Sequence, residues 1–108
     1  MPKLRIFRSR TQRLRGLLGS EPTDDLVMLV PCHDVHTFGM AYPLDLAFVD
    51  KHAKVIQSYR NVEPGSRLRC VQAQAVIERA ACEEKRWFKP RSFAGAQIQG
   101  ALKERKES

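Results

Sequence analysis

Long apolar runs are what this chain most plainly lacks. No stretch approaches the ~20 apolar residues a membrane-spanning helix needs. The basic segment Met1 to Gly16 carries neither an apolar h-region nor a small-residue cleavage site. Secretion is therefore not expected, and a reducing cytoplasm is the predicted compartment. Cysteine is sparse as well: Cys32, Cys70 and Cys82 are odd in number and share no short repeated spacing. That pattern argues against a disulfide framework and against a ribbon-type zinc site. Phosphate-binding glycine loops, paired-carboxylate signatures and nucleophile elbows are also missing. The expectation is a non-enzymatic binding or interaction module.

What is present suits one small globular domain over residues 1–108, with its core between about residues 3 and 80. The chain is 43% hydrophobic and 29% charged, ordinary values for such a domain. The net charge of +7 is unevenly spread. Residues 1–20 carry six bases and no acid, residues 21–84 six bases against ten acids, and residues 85–108 seven against two. Both ends are thus basic arms around a mildly acidic middle.

The periodicities are mostly those of short strands. Lys3 to Arg8 alternates apolar and basic residues, and Leu26 to Val30 is a continuous apolar run closed by Pro31, where ladder pairing should lapse. Between them Ser9 and Gln12 form a capping box, and Leu14, Leu17 and Leu18 make a stripe on a helix that Gly19 ends. Leu44 to Val49 reads as a strand with Leu44, Leu46 and Phe48 on one face. A hairpin loop at Asp50–Ala53 leads into a strand over Lys54–Asn61, and Glu63-Pro64-Gly65-Ser66 is a tight turn. Arg67–Val71 and Ala73–Arg79 supply further strands. Cys82–Phe88 is predicted to make one helical turn before Pro90. Ser92–Glu104 is weakly striped, weakened by Gly95 and Gly100, and reads as a marginal helix or a disordered tail. The fold class is mainly β with minor α: a small barrel or sandwich with a short N-terminal helix and a basic C-terminal extension.

The densest chemistry lies between Cys32 and Asp50. There His36-Thr37-Phe38-Gly39-Met40 is followed by Pro43-Leu44-Asp45 and Phe48-Val49-Asp50. This pattern resembles the uncharacterised bacterial and archaeal family of domain of unknown function 192. Arg13, Gly16 and Leu17 are similar to that family's arginine and Gly-Leu element, and Cys70, Ala75, Val76 and Glu78 to its later Cys–Ala–Val–Leu–Glu segment. The resemblance spans about residues 10 to 80. It implies a jelly-roll-like or small-barrel β fold and brings no assigned catalytic residue. Members usually continue with a Pro-Ala-Gly turn and a glycine-containing closing strand, which Arg79 to Trp87 does not show.

Four constellations are candidates. Cys32, His33 and His36, with Cys70 as a fourth donor, would suit zinc, which takes four N or S ligands; the core of that set is Cys32, His36 and Cys70. Zinc is the one cofactor alternative, and no cofactor is the primary expectation. A thiolate at Cys32 or Cys70 activated by His36, with Asp45 orienting the imidazole, would make a nucleophilic enzyme centre, and Cys32, His36 and Cys70 around a metal a metal-dependent one. Asp45 has a structural alternative: in an otherwise apolar strand its carboxylate needs main-chain donors or a cation. It is predicted to tie down the Gly39-Met40 corner, with Phe38 and Met40 plugging the core. Finally, Lys85, Arg86, Trp87, Lys89 and Arg91 interleave bases with an aromatic ring, and Arg10, Arg13 and Arg15 extend the charge. Such arms suit single-stranded nucleic acid, an anionic membrane surface or a protein partner.

Overall fold

A computed structural model describes residues 3–8, 19, 21–87 and 93–106 of the chain. Among the described residues seven strands and one helix follow in order: β1 (Leu4–Phe7), β2 (Leu26–Leu29), β3 (Asp34–His36), β4 (Leu44–Val49), β5 (Val55–Val62), β6 (Arg67–Arg69), β7 (Ala75–Ala80) and α1 (Phe93–Lys106). The helix predicted from Ser9 falls, except for Gly19, outside the described residues.

Five strands form one sheet in the order β1-β2-β7-β4-β5, and β3 pairs with β6 in a second, two-stranded sheet. The β1–β2 pair is parallel and the rest are antiparallel. The mainly β expectation holds, but the sheet stays open and no barrel closes. The residues after β7 run as coil over 81–87 and supply no closing strand. Edge strand β5 shows Gln57, Ser58, Arg60 and Asn61 to solvent, and its pairing with β4 is broken by register shifts at Leu44/Leu46 and Phe48/Val49. A charged, irregular edge of this kind discourages further pairing.

Because side chains alternate along a strand, β2, β4 and β7 feed two cores. Leu26, Met28, Ala47, Val49, Ala75 and Ile77 face one side, where Ile98, Ala101 and Leu102 of α1 cover them. Val27, Leu29, Leu44, Leu46, Phe48 and Val76 face the other, covered by Val35, Cys70 and Leu68 of the β3–β6 unit. The layers are thus helix, five-stranded sheet and two-stranded sheet. Each fully buried side chain such as Phe48 or Ile98 contributes about 1.5–3 kcal/mol. Of the two expectations for residues 92–104, the helix is the one that forms, because packing of that stripe outweighs its two glycines.

Two sequence readings fail locally. Cys82–Trp87 makes no helical turn. Within the histidine segment Asp34, Val35 and His36 pair with Arg69, Leu68 and Arg67. The in–out alternation runs to Thr37 and a turn follows: Val35 is buried, His36 exposed and Thr37 buried, and Phe38 is exposed in the turn closed by Met40 N and Thr37 O. Phe38 therefore does not plug the core; it is 54% exposed, while Met40 packs against the core from its margin.

Thr37 takes the buried place and organises the corner. Its N–H donates to Ser66 O at 2.8 Å, its hydroxyl donates to Glu63 O at 2.8 Å and accepts from Ser66 N at 2.9 Å. Its carbonyl accepts from Met40 N and Gly65 N at 3.2 and 3.1 Å. Gly39 and Gly65 have φ of 82° and 85°, angles glycine adopts without steric cost. The turn expected at 63–66 is present.

Candidate ligand-binding groove

Asp45 lies on β4 in the face shared with Ala47 and Val49, directly across from Arg79 on β7. It is 1% exposed. Its Oδ1 accepts from Asn61 N at 2.9 Å, and its Oδ2 accepts from Arg79 Nε at 3.1 Å and from Cys82 N at 3.4 Å. Arg60 Nε stands 3.4 Å from the same oxygen. A buried carboxylate requires this compensation. The predicted main-chain donors exist, but they belong to Asn61 and Cys82, not to the Gly39-Met40 corner.

The two arginines carry the arrangement outward. Arg60 Nη2 donates to Cys82 O at 2.7 Å, Arg79 Nη1 to Arg86 O at 2.8 Å, and Arg79 Nη2 to Glu84 O. Arg79 also stacks its guanidinium 4.1 Å from the centre of the Trp87 ring, a contact of about 0.5–2 kcal/mol. The coil after β7 is thereby strapped to the sheet end by side chains. Glu84, in turn, accepts from Arg86 N at 2.9 Å, and that bond chiefly holds its carboxyl below the usual range.

Between this strap and the loop before β2 opens a groove of about 500 Å³. Leu26, Pro22, Ala80, Ala81 and Trp87 give it an apolar lining, while Thr23, Asp24, Glu84 and Arg86 add polar groups. A mostly apolar concavity of this volume with a few polar groups is the usual form of a small-ligand site.

The remaining sequence candidates are placed elsewhere. His33 and His36 are exposed on the β3–β6 unit, Cys32 is half-buried and Cys70 buried. Cys32 Sγ donates to Asp34 O at 3.4 Å and Cys70 Sγ to Gln72 Oε1 at 3.7 Å. The His36 imidazole stacks on Phe38, ring centres 5.2 Å apart. Asp45 sits on the α1 side of the large sheet and His36 on the opposite side, so the structure does not join them. Among the described residues no three His, Cys, Asp or Glu side chains converge as a metal site would require. Lys85 and Arg86 are exposed on the strap and Trp87 is half-buried. Arg10, Arg13, Arg15, Lys89 and Arg91 lie outside the described residues.

Sequence reasoning missed Arg60, Arg79, Thr37 and the environment of Glu78. Glu78 shares the Val76 face of β7, between Val27 and Leu46 in the register, and is 4% exposed. Its Oε1 has no hydrogen-bond partner among the described residues, and burial raises its carboxyl to about 7. The signal available was a Glu-Arg pair inside the apolar strand Ala75–Ala80.

The model of the family of domain of unknown function 192, described as an uncharacterized ACR, matches residues 2–87. Comparison with curated proteins gives no match. Two crystal structures share the fold. One is a protein of unknown function from Novosphingobium aromaticivorans, 21% identical, covering 72% of this chain with a TM-score of 0.64. The chain spans 62% of that protein's length. The other is a putative transcription regulator from Sinorhizobium meliloti, 17% identical, covering 72% of this chain and 67% of its own, with a TM-score of 0.65. No described helix is long and apolar enough to cross a membrane.

Proposed function

Given that the chain belongs to the domain of unknown function 192 family, whose description carries no activity, we propose that it is a non-enzymatic binding module that takes a small, mostly apolar, ring-sized ligand in the groove beside Trp87. The observation that carries this is the groove's fixed wall. Asp45, Arg60 and Arg79 commit their polar atoms to each other and to the carbonyls of Cys82, Glu84 and Arg86, which pre-forms the concavity instead of leaving reactive groups in it. Pre-formed sites spend little binding energy on ordering. The polar groups at Thr23, Asp24, Glu84 and Arg86 suit a polar substituent on such a ligand. Three free thiols fit a reducing, cytoplasmic setting.

Trp87, the one tryptophan of the chain, lines the groove and reports on it directly. Titration with a panel of indole, naphthyl and alkyl-ring fragments should shift its emission, and Ala81→Phe, which fills the groove, should abolish the shift while leaving Tm unchanged. Binding that persists in Ala81→Phe, or a panel that leaves Trp87 emission untouched, overturns the proposal.

A further inference from the structure

We propose that the outward face of the β3–β6 unit is a contact surface for single-stranded nucleic acid, separate from the groove and from the basic ends of the chain. Val35 and Leu68 turn inward, so the alternation sends Asp34, His36, Arg67 and Arg69 to the other face. The register sets His36 beside Arg67 and Asp34 beside Arg69.

Phe38 continues that face. It is exposed, at 54%, whereas Phe7, Tyr42, Phe48, Tyr59 and Trp87 are buried or half-buried. Its ring stacks on the His36 imidazole at 5.2 Å with an interplanar angle of 24°, and its edge passes beside Gly65, which has no side chain to cover it. The result is a pre-ordered two-ring stack with an open side. An exposed, stacked ring is a poor surface for water and a good platform for an unpaired base, whose π-face can extend the stack whatever its identity.

The charges beside the rings fit the backbone of the same partner. Asp34 accepts from Arg67 Nε at 3.1 Å and Nη2 at 2.7 Å, a bidentate pair that fixes the guanidinium in place. That bond chiefly holds the Asp34 carboxyl below its usual range. Arg69, exposed directly across from Asp34 and close enough for its charge to act on that carboxyl, makes no side-chain hydrogen bond among the described residues and can reach a phosphate. Duplex nucleic acid would offer this face only phosphates, because its bases are already stacked; a single strand offers both bases and phosphates. The surface thus selects the single strand.

Anisotropy of a labelled oligothymidylate of roughly 12 nucleotides, within the usual site sizes, tests this on the full chain. Wild type should bind at low salt, with log K falling against log salt at about −0.7 per phosphate contact, near −1.4 for two arginines. Phe38→Ala should weaken binding roughly 5- to 100-fold. Arg69→Ala should flatten the slope by about 0.7, and Asp34→Asn, which removes the opposing charge, should tighten binding. All three positions are at least partly exposed, so the variants should keep the wild-type Tm, and circular dichroism checks that they do. Unchanged affinity in Phe38→Ala overturns the proposal and assigns any binding to the basic ends. Retention on phosphatidylserine vesicles without oligonucleotide binding overturns it in favour of a membrane contact, and no binding at low salt overturns it outright.

Discussion

Arg79 faces Asp45 across the β4–β7 register with Nε 3.1 Å from the carboxylate, and the same guanidinium covers the Trp87 ring at 4.1 Å. One side chain therefore neutralises a buried charge, fixes a coil and seats an aromatic ring. The pairing links residues 34 positions apart and shapes the wall of the groove.

Removing the carboxylate should expose that dependence. Asp45→Ala leaves Arg79 buried without a counter-charge, a change that costs about 3–5 kcal/mol. Urea denaturation should show it, and the Trp87 emission of the folded protein should shift to the red as the strap loosens. Adding Arg79→Met should recover part of the stability, because the uncompensated charge goes too, but not the emission, because the carbonyls of Glu84 and Arg86 stay unclaimed.

Thr37→Val keeps the shape of the side chain and deletes the hydroxyl that joins Glu63 O to Ser66 N. Burying those groups unpaired should cost about 1–3 kcal/mol. Amide hydrogen exchange should accelerate at Ser66 and Met40, with the β4–β7 pairing unaffected.

Glu78 makes the fold sensitive to pH near neutrality. Its folded carboxyl titrates at about 7 against 4.5 when unperturbed, so the folded state binds the proton more tightly. The contribution is complete below about 4.5, declines as pH rises, and is gone above about 7; across that window the loss is on the order of 3 kcal/mol. Denaturation midpoints measured from pH 5 to pH 8 should fall for wild type and lose this component in Glu78→Gln.

Docking of α1 rests on its buried stripe. Ile98→Ala, at a site with no exposure, should cost about 2–5 kcal/mol, and limited proteolysis should then cut first within residues 93–106.

Several of these features are written in local sequence. The Leu44–Val49 strand, its Leu44-Leu46-Phe48 face and the 63–66 turn follow from alternation and from Pro-Gly chemistry. Asp50, with its side chain accepting from His52 N and Lys54 N at 2.8 and 3.0 Å, makes the hairpin as expected. Asp45 was recognisable as a buried acid needing donors, but their identity was not, because the β4–β7 and β4–β5 registers bring them from distant positions. Hydrophobicity alone assigns Phe38 to the core; parity from Val35 instead places Thr37 inside, and the turn that follows carries the larger ring outward. Ser92–Glu104 stayed undecided because its glycines and its stripe oppose each other, and only the sheet beneath resolves the balance.

The strap from Cys82 to Arg86 is gripped through carbonyl oxygens, atoms that every amino acid possesses. Its contour therefore depends little on the other side chains it bears, provided the gripping arginines, their shared aspartate and the Glu84 carboxylate on Arg86 N persist. Evolution, or an engineer, can exchange Glu83, Lys85 or Arg86 and so alter what the rim recognises without reshaping the cradle beneath.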